Sequence, residues 1–199
     1  MPANVLGATK LRPTPPQGEG PFYPDVLPLD KDNDLVSVEG RSELALGRIT
    51  HIFGRIRDVD GRPVRSARIE IWQCDSLGRY IHSLDPGRGP RDPNFQGYGR
   101  TVTDDKGRYR FRAIKPVPYP GRTPHIHFAV SAKGSRRLTT QMYVEGEPLN
   151  KTDFLLNRVG NAEARRSLIA ALKPLPNHEK EALIGQFDIV LGDGWRMFR

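Results

Sequence analysis

With 199 residues, 37% of them hydrophobic and 27% charged, the chain can bury one domain-sized core and lacks the composition of a disordered segment. Its net charge of +8 comes largely from arginines dispersed among glycines and prolines, without a Lys/Arg run or a nucleic-acid-binding motif, so the charge is assigned to solubility and to steering of small anions rather than to nucleic acid. The single Cys74 excludes an intrachain disulfide and a multi-cysteine metal site, no window approaches the roughly 18 apolar residues of a membrane span, and the absence of a leader pattern makes a cytoplasmic location the expectation.

Residues 1–45 are proline-rich and aperiodic, with the run PTPPQGEGPFYPD, and read as an extended arm packing on a body that spans residues 46–199. From Arg48 onward the pattern becomes that of strands. RITHIFGRIRD is rich in β-branched and aromatic residues and leads to a turn at Asp60-Gly61. In SARIEIWQCD, Ile69 and Ile71 alternate with Arg68 and Glu70, the period of a strand with one apolar face. A loop from Ser83 to Gly99 follows, and GRTVTDDKGRYRFRAI predicts two short strands joined at Asp105-Lys106-Gly107. PHIHFAVSA, RRLTTQMYVEG and GQFDIVLGD bring the expected total to six to eight strands.

NAEARRSLIAALKP predicts one late helix. Asn161 is its cap, Glu163 lies in its first turn, Leu168, Ile169 and Leu172 form its apolar face, and Pro174 stops it. The expected fold class is therefore an all-β sandwich with an extended N-terminal arm and one late helix. The register GRIRDVDGRPVRSARIEIW…TDDKGRYRFRAI resembles the transthyretin-like sandwich module, a fold that does not by itself imply an activity.

The chemistry concentrates in KPVPYPGRTPHIHFAV. On a strand, Ile126, Phe128 and Val130 face one way and His125, His127 and Ala129 the other. If the apolar set points to the core, the two histidines share the opposite face. There they are either polar residues on a wet surface or two imidazole ligands for one ion. The remaining histidines, His51, His82 and His178, show no paired spacing, and Asp104 and Asp105 sit in a turn. Tyrosines Tyr80 and Tyr119 are left as further ligands. A phenol with an ordinary pKa near ~10 ligates well only to a hard, strongly Lewis-acidic cation, a description that ferric iron fits better than zinc or copper.

TPPQGEGPFYP, IEIWQCDSLGRYIH, GYGRTVTDDKGRYRFRAIKPVPYP, RTPHIHFAV and RLTTQMYVEG together resemble the intradiol ring-cleavage dioxygenases, nearest the protocatechuate 3,4-dioxygenase branch, in order over most of residues 14–150. The resemblance implies one non-haem Fe(III) per chain held by Tyr80, Tyr119, His125 and His127. It further implies that Tyr119 leaves the metal and acts as base, that Arg122 stabilises negative charge on the ring, and that Gln141 orients an oxygen nucleophile. Gly20, Pro21, Phe22, Tyr23, Trp72 and Arg122 become substrate contacts. The resemblance implies a small catechol and O2 as substrates and a cis,cis-muconate as product, and a homo-oligomer is expected. Gly121 stands where protocatechuate enzymes place a bulky aromatic, and the stretch from Tyr119 to His125 is shorter, which implies a more open pocket. The rival readings are a non-catalytic partner subunit, a transthyretin-like binding module and a zinc hydrolase.

Overall fold

The computed structural model describes residues 9–132, 136–179 and 181–192. Its strands are β1 (Ile49–Asp58), β2 (Arg68–Trp72), β3 (Tyr98–Val102), β4 (Arg108–Ile114), β5 (His125–Ser131) and β6 (Leu138–Val144), followed by the short β7 (Ile169–Ala170), β8 (Leu172–Pro174), β9 (Leu183–Gln186) and β10 (Ile189–Leu191). Between β6 and β7 lie a 3-10 turn at Pro148–Lys151 and two short helices, α1 (Phe154–Asn157) and α2 (Ala162–Arg166). The fold is all-β.

Two five-stranded sheets share one core. In the first, β1 pairs antiparallel with β4 on one edge, while its other edge takes β9 and then β10 in parallel, with β8 outside β9. The second sheet runs β3-β2-β5-β6-β7. Burial alternates along the whole of β1, so Ile52 and Ile56 point inward. With Tyr109, Phe111 and Ala113 of β4 they meet Ile69 and Ile71 of β2, Ile126, Phe128 and Val130 of β5, and Met142 of β6.

Strand β5 is buried on both faces. Its second face carries Ala129 in a smaller cluster with Trp72, Cys74, Tyr80 and Tyr98, against which Phe22, Tyr23, Val117 and Tyr119 pack. The histidine face is therefore roofed rather than wet. Residues 9–48 form no strand, and they reach both sheets through backbone hydrogen bonds: Leu11 N to Val59 O at 2.7 Å, Thr14 N to Val190 O at 2.9 Å and Gln17 N to Thr139 O at 2.8 Å.

The late helix is much shorter than its sequence predicts. Asn161 does cap α2, accepting from the Ala164 amide, but the helix ends at Arg166. Leu168 turns into the core, and Ile169–Ala170 pairs in parallel with Tyr143–Val144 at the open edge of β6. Tyr143 N donates to Leu168 O at 2.8 Å and Glu145 N to Ala170 O at 2.9 Å. An unpaired sheet edge and a buried site for Leu168 outweigh a weak helical period. GQFDIVLGD is likewise two strands rather than one. Phe187 N bonds Phe53 O at 2.8 Å, and the Asp188 carboxylate replaces a backbone acceptor by taking the Arg55 amide at 2.9 Å, which breaks the ladder between β9 and β10.

Candidate active site

Strand β5 delivers His125 and His127 to one face with their Nε2 atoms 3.2 Å apart. His125 Nδ1 lies 2.6 Å from the Thr123 carbonyl, which can only accept, so that nitrogen carries the proton and Nε2 presents its lone pair. The His127 ring lies flat against Trp72, its cross-strand partner on β2, at 4.8 Å between centroids and 8° between planes. Burial drives both imidazoles toward the neutral form. His125 falls to about 4, with the Arg122 charge contributing after burial, and His127 falls well below its usual value through burial, His125 and Arg122. Neutral imidazoles are the form that ligates metals.

Tyr80 arrives from the loop after β2. Asp75 Oδ1 takes the amides of Leu77 and Arg79, both at 2.9 Å, and Asp85 Oδ2 takes the Tyr80 amide at 2.7 Å. These bonds fix a phenol that is buried and whose hydroxyl has no hydrogen-bond partner. An orphaned buried hydroxyl costs roughly 1–3 kcal/mol. Burial above all, then Cys74 and Tyr119, pushes its pKa well above the ordinary phenol value. Tyr119 stands beside it, with ring centroids 5.4 Å apart and 5.5 Å from His125. Burial raises the Tyr119 pKa too, against a lowering influence from Arg122. Tyr119 is partly exposed whereas Tyr80 is fully enclosed.

Tyr119-Pro120-Gly121-Arg122 is a tight turn, closed by Arg122 N to Tyr119 O at 2.9 Å. Proline second and glycine third, with Gly121 at φ +83°, is the type II signature. A glycine is thus demanded here by the backbone, and the space around its Cβ position is open. The turn brings Arg122 under Tyr119. The guanidinium is buried and donates Nε to Asp153 Oδ2 at 2.8 Å, Nη2 to Gln141 Oε1 at 2.6 Å and to the Tyr143 hydroxyl at 3.3 Å, and Nη1 to the Tyr119 hydroxyl at 3.5 Å. Gln141 lies opposite His127 on β6, and its amide nitrogen donates to Gly18 O at 3.1 Å.

The arm closes this constellation within the same chain. Phe22 stacks on Tyr80 at 5.1 Å, and Tyr23 meets Trp72 edge-on at 5.0 Å while donating to Glu70 at 2.9 Å. Gly20 passes so near His127 that a Cβ would sit 3.3 Å from its Cε1, whereas Pro21 is exposed. The ten sequence-derived residues other than Pro21 thus lie in one contiguous neighbourhood.

A protein-family model described as dioxygenase matches residues 18–193. The protocatechuate 3,4-dioxygenase beta chain of Burkholderia cepacia is 42% identical over 176 residues, covering 84% of this chain and 73% of that one. The chain belongs to the intradiol ring-cleavage dioxygenase family. Hydroxyquinol 1,2-dioxygenase of Corynebacterium glutamicum is 34% identical over 65% of the chain, and catechol 1,2-dioxygenase 1 of Acinetobacter lwoffii is 33% identical over 71%. The chain spans only 45% and 49% of these two relatives. The dioxygenase domain of a dioxygenase–carbohydrate-binding fusion from Streptomyces sp. SirexAA-E superposes with a TM-score of 0.69 at 29% identity, over 91% of this chain and 99% of that one. Catechol 1,2-dioxygenase from Acinetobacter sp. ADP1 gives 0.67 at 27%, over 94% and 66%.

In this intradiol-family chain three neighbours of the constellation escaped the sequence reading: Asp153, Tyr143 and Gln17. Tyr143 was the most accessible, since it lies two residues after Gln141 and so shares its face. Its hydroxyl donates to Gln17 Oε1 at 2.8 Å. Asp153 is visible in sequence only as a helix cap. Among the other histidines, His51 and His178 do meet, on the outer face of the first sheet, with Glu179. The Glu179 carboxylate is already engaged by Arg112 at 2.6 Å and His51 at 3.1 Å, and Arg112 also pairs with Asp34 at 2.8 Å, so the group reads as an ion-pair network. Among the described residues, no helix is long and apolar enough to cross a membrane.

Proposed function

We propose that the chain is a non-haem Fe(III) dioxygenase that opens a catecholic ring between its two hydroxylated carbons, incorporating both atoms of O2 to give a cis,cis-muconate, with protocatechuate or a related catechol as substrate. One observation carries the reading: two neutral, buried imidazoles with facing Nε2 atoms converge with the partnerless buried phenol of Tyr80. With Tyr119 they make a donor set of two nitrogens and two phenol oxygens that suits a hard trivalent cation. Tyr80, Tyr119, His125 and His127 would hold the iron. The iron would supply the Lewis acidity that ionises the phenols and holds both catechol oxygens.

The residues divide the remaining tasks. Tyr80, enclosed beneath Phe22, is the fixed phenol. Tyr119, partly exposed on its turn, is the one free to move and to take a catechol proton at its hydroxyl oxygen. Arg122 holds a permanent positive charge beside that oxygen and stabilises negative charge on the opening ring. Gln141, proposed to orient the oxygen nucleophile, has its amide oxygen on Arg122 and its amide nitrogen on Gly18, bonds that also hold the arginine against the arm. Phe22, Trp72 and Arg122 are the proposed substrate contacts beside the four ligands, with Gly20, Pro21 and Tyr23 as further proposed contacts. The two-sheet body, residues 46–199, is assigned to the transthyretin-like class as one catalytic domain, with residues 1–45 as its arm, in a cytoplasmic homo-oligomer.

Metal analysis with a visible spectrum tests the reading. Tyrosinate-to-Fe(III) charge transfer makes the purified protein red-brown, and a catechol added without oxygen shifts the band. A colourless protein at full metal occupancy refutes it. Oxygen uptake with catechol, protocatechuate and hydroxyquinol then assigns the substrate.

A further inference from the structure

Asp153 is an acidic side chain with no exposed surface, and its two oxygens serve different partners. Oδ1 accepts from the amides of Leu155 at 3.1 Å and Leu156 at 3.0 Å, which makes it the cap of α1. Oδ2 accepts from Arg122 Nε at 2.8 Å and from the Thr123 amide at 3.1 Å. Thr123 in turn receives the Nδ1 proton of His125 on its carbonyl. The same carboxylate oxygen therefore anchors the arginine side chain and the peptide that joins Arg122 to Thr123, whereas the Thr123 carbonyl that bonds His125 belongs to the next peptide. Burial raises the Asp153 pKa, but the Leu156 amide and Arg122 outweigh it and hold the group ionised below the ordinary carboxylate range.

The consequence for Arg122 is directional. Its Nε edge is tied to Asp153, and Nη2 is tied to Gln141 and Tyr143. Nη1 is the fork end left facing the Tyr119 hydroxyl, at 3.5 Å. A planar guanidinium pinned on two sides cannot rotate its third donor away. Without the carboxylate, the cation would remain buried but would be free to turn about its last bonds toward another acceptor.

We infer that Asp153 is a positioning residue that aims Arg122 at the Tyr119 oxygen, so that its removal disables the arginine while the metal ligands stay in place. The inference rests on the functional reading above, in which Arg122 stabilises charge during ring opening.

Asp153→Asn and Asp153→Ser separate this role from capping, because Asn and Ser both cap helices but neither offers an anionic acceptor to Arg122. The readouts are iron content, the charge-transfer band, kcat and KM, and the Arg122 Nε–H signal in a 15N spectrum of the metal-free protein, identified by its loss in Arg122→Lys. Wild type is expected to show a slowly exchanging Nε–H that both Asp153 variants lose. Both variants should keep iron and colour, with kcat down at least about tenfold and KM changed less than about threefold. In an Arg122→Ala background, Asp153→Asn should add less than about a threefold change, because a group acting only through Arg122 has nothing left to position. Wild-type kcat in both variants overturns the inference, as does a full tenfold loss persisting without Arg122. If Asp153→Asn does not fold, Asp153→Ser and the wild-type Nε–H exchange decide it. A wild-type protein inert toward every catechol refutes the functional reading instead, and the Nε–H signal then judges the positioning claim alone.

Discussion

The indole of Trp72 lies parallel to the His127 imidazole across the β2–β5 ladder, 4.8 Å away, and both rings are buried. The stack fixes the plane of a side chain whose Nδ1 has no hydrogen-bond partner to orient it. Packing thus takes the place of the hydrogen bond that His125 donates to the Thr123 carbonyl. Trp72→Phe keeps a flat partner and should retain most of the iron. Trp72→Ala should destabilise the fold by about 3–5 kcal/mol and release iron about tenfold more readily, as measured by thermal melts and chelator competition.

Gly20 tests how closely the arm must pass. Its φ of +74° is a left-handed conformation, and an added Cβ would meet His127 Cε1 at 3.3 Å. Gly20→Ala should lower stability by about 1–2 kcal/mol and weaken iron binding by crowding that ring. Gly40, also at positive φ (+80°) but with open space around its Cβ position, is the control: Gly40→Ala should show the strain without the iron effect.

The two phenols should answer differently to losing their hydroxyls. Tyr80→Phe removes an orphaned buried group, so the metal-free protein should gain about 1 kcal/mol while iron affinity and colour collapse. Tyr119→Phe should keep much of the iron, shift the visible band and lose turnover, because the proposed base is gone. Melting curves of metal-free protein beside iron titrations read both outcomes.

Away from the pocket, acid stability should depend on Glu179. Burial raises its pKa, but the hydrogen bonds from Arg112 and His51 outweigh burial and hold it below the ordinary Glu value. A carboxylate with a depressed folded pKa contributes stability above its unfolded pKa and loses it as pH falls through the folded value. Glu179→Gln should therefore cost about 1 kcal/mol at pH 7, and the gap from wild type should close below about pH 4 in urea denaturation series.

Much of the second sheet was legible because strand period and chemistry coincide there. Ile126, Phe128 and Val130 alternate with His125 and His127, and the structure separates the two sets as a period of two requires. Asn161 announced a helix start correctly. What followed it did not, because the fate of Leu168 and Ile169 depends on an open edge of β6 more than twenty residues earlier, a demand that no local window contains. The parallel pairing of β9 and β10 on β1 was hidden for the same reason. Gly121, read as opening the pocket, is also required by the turn at its own backbone, a demand of local geometry that a comparison of residue sizes does not reveal. Asp153 was invisible as a partner of Arg122 because helix capping and ion pairing leave the same single letter in the chain.

The arm's tether to β10 joins segments remote in sequence. Thr14 and Val190 exchange two hydrogen bonds, Thr14 N to Val190 O and Val190 N to Thr14 Oγ1, each 2.9 Å long, only a few residues before the stretch that covers Tyr80 and His127. The same arm is held a few residues further on by β6, where Gln17 N donates to Thr139 O at 2.8 Å and Gln141 donates to Gly18 O at 3.1 Å. Loss of the β10 pairing would therefore loosen the arm at its first anchor while β6 still holds the part that covers His127.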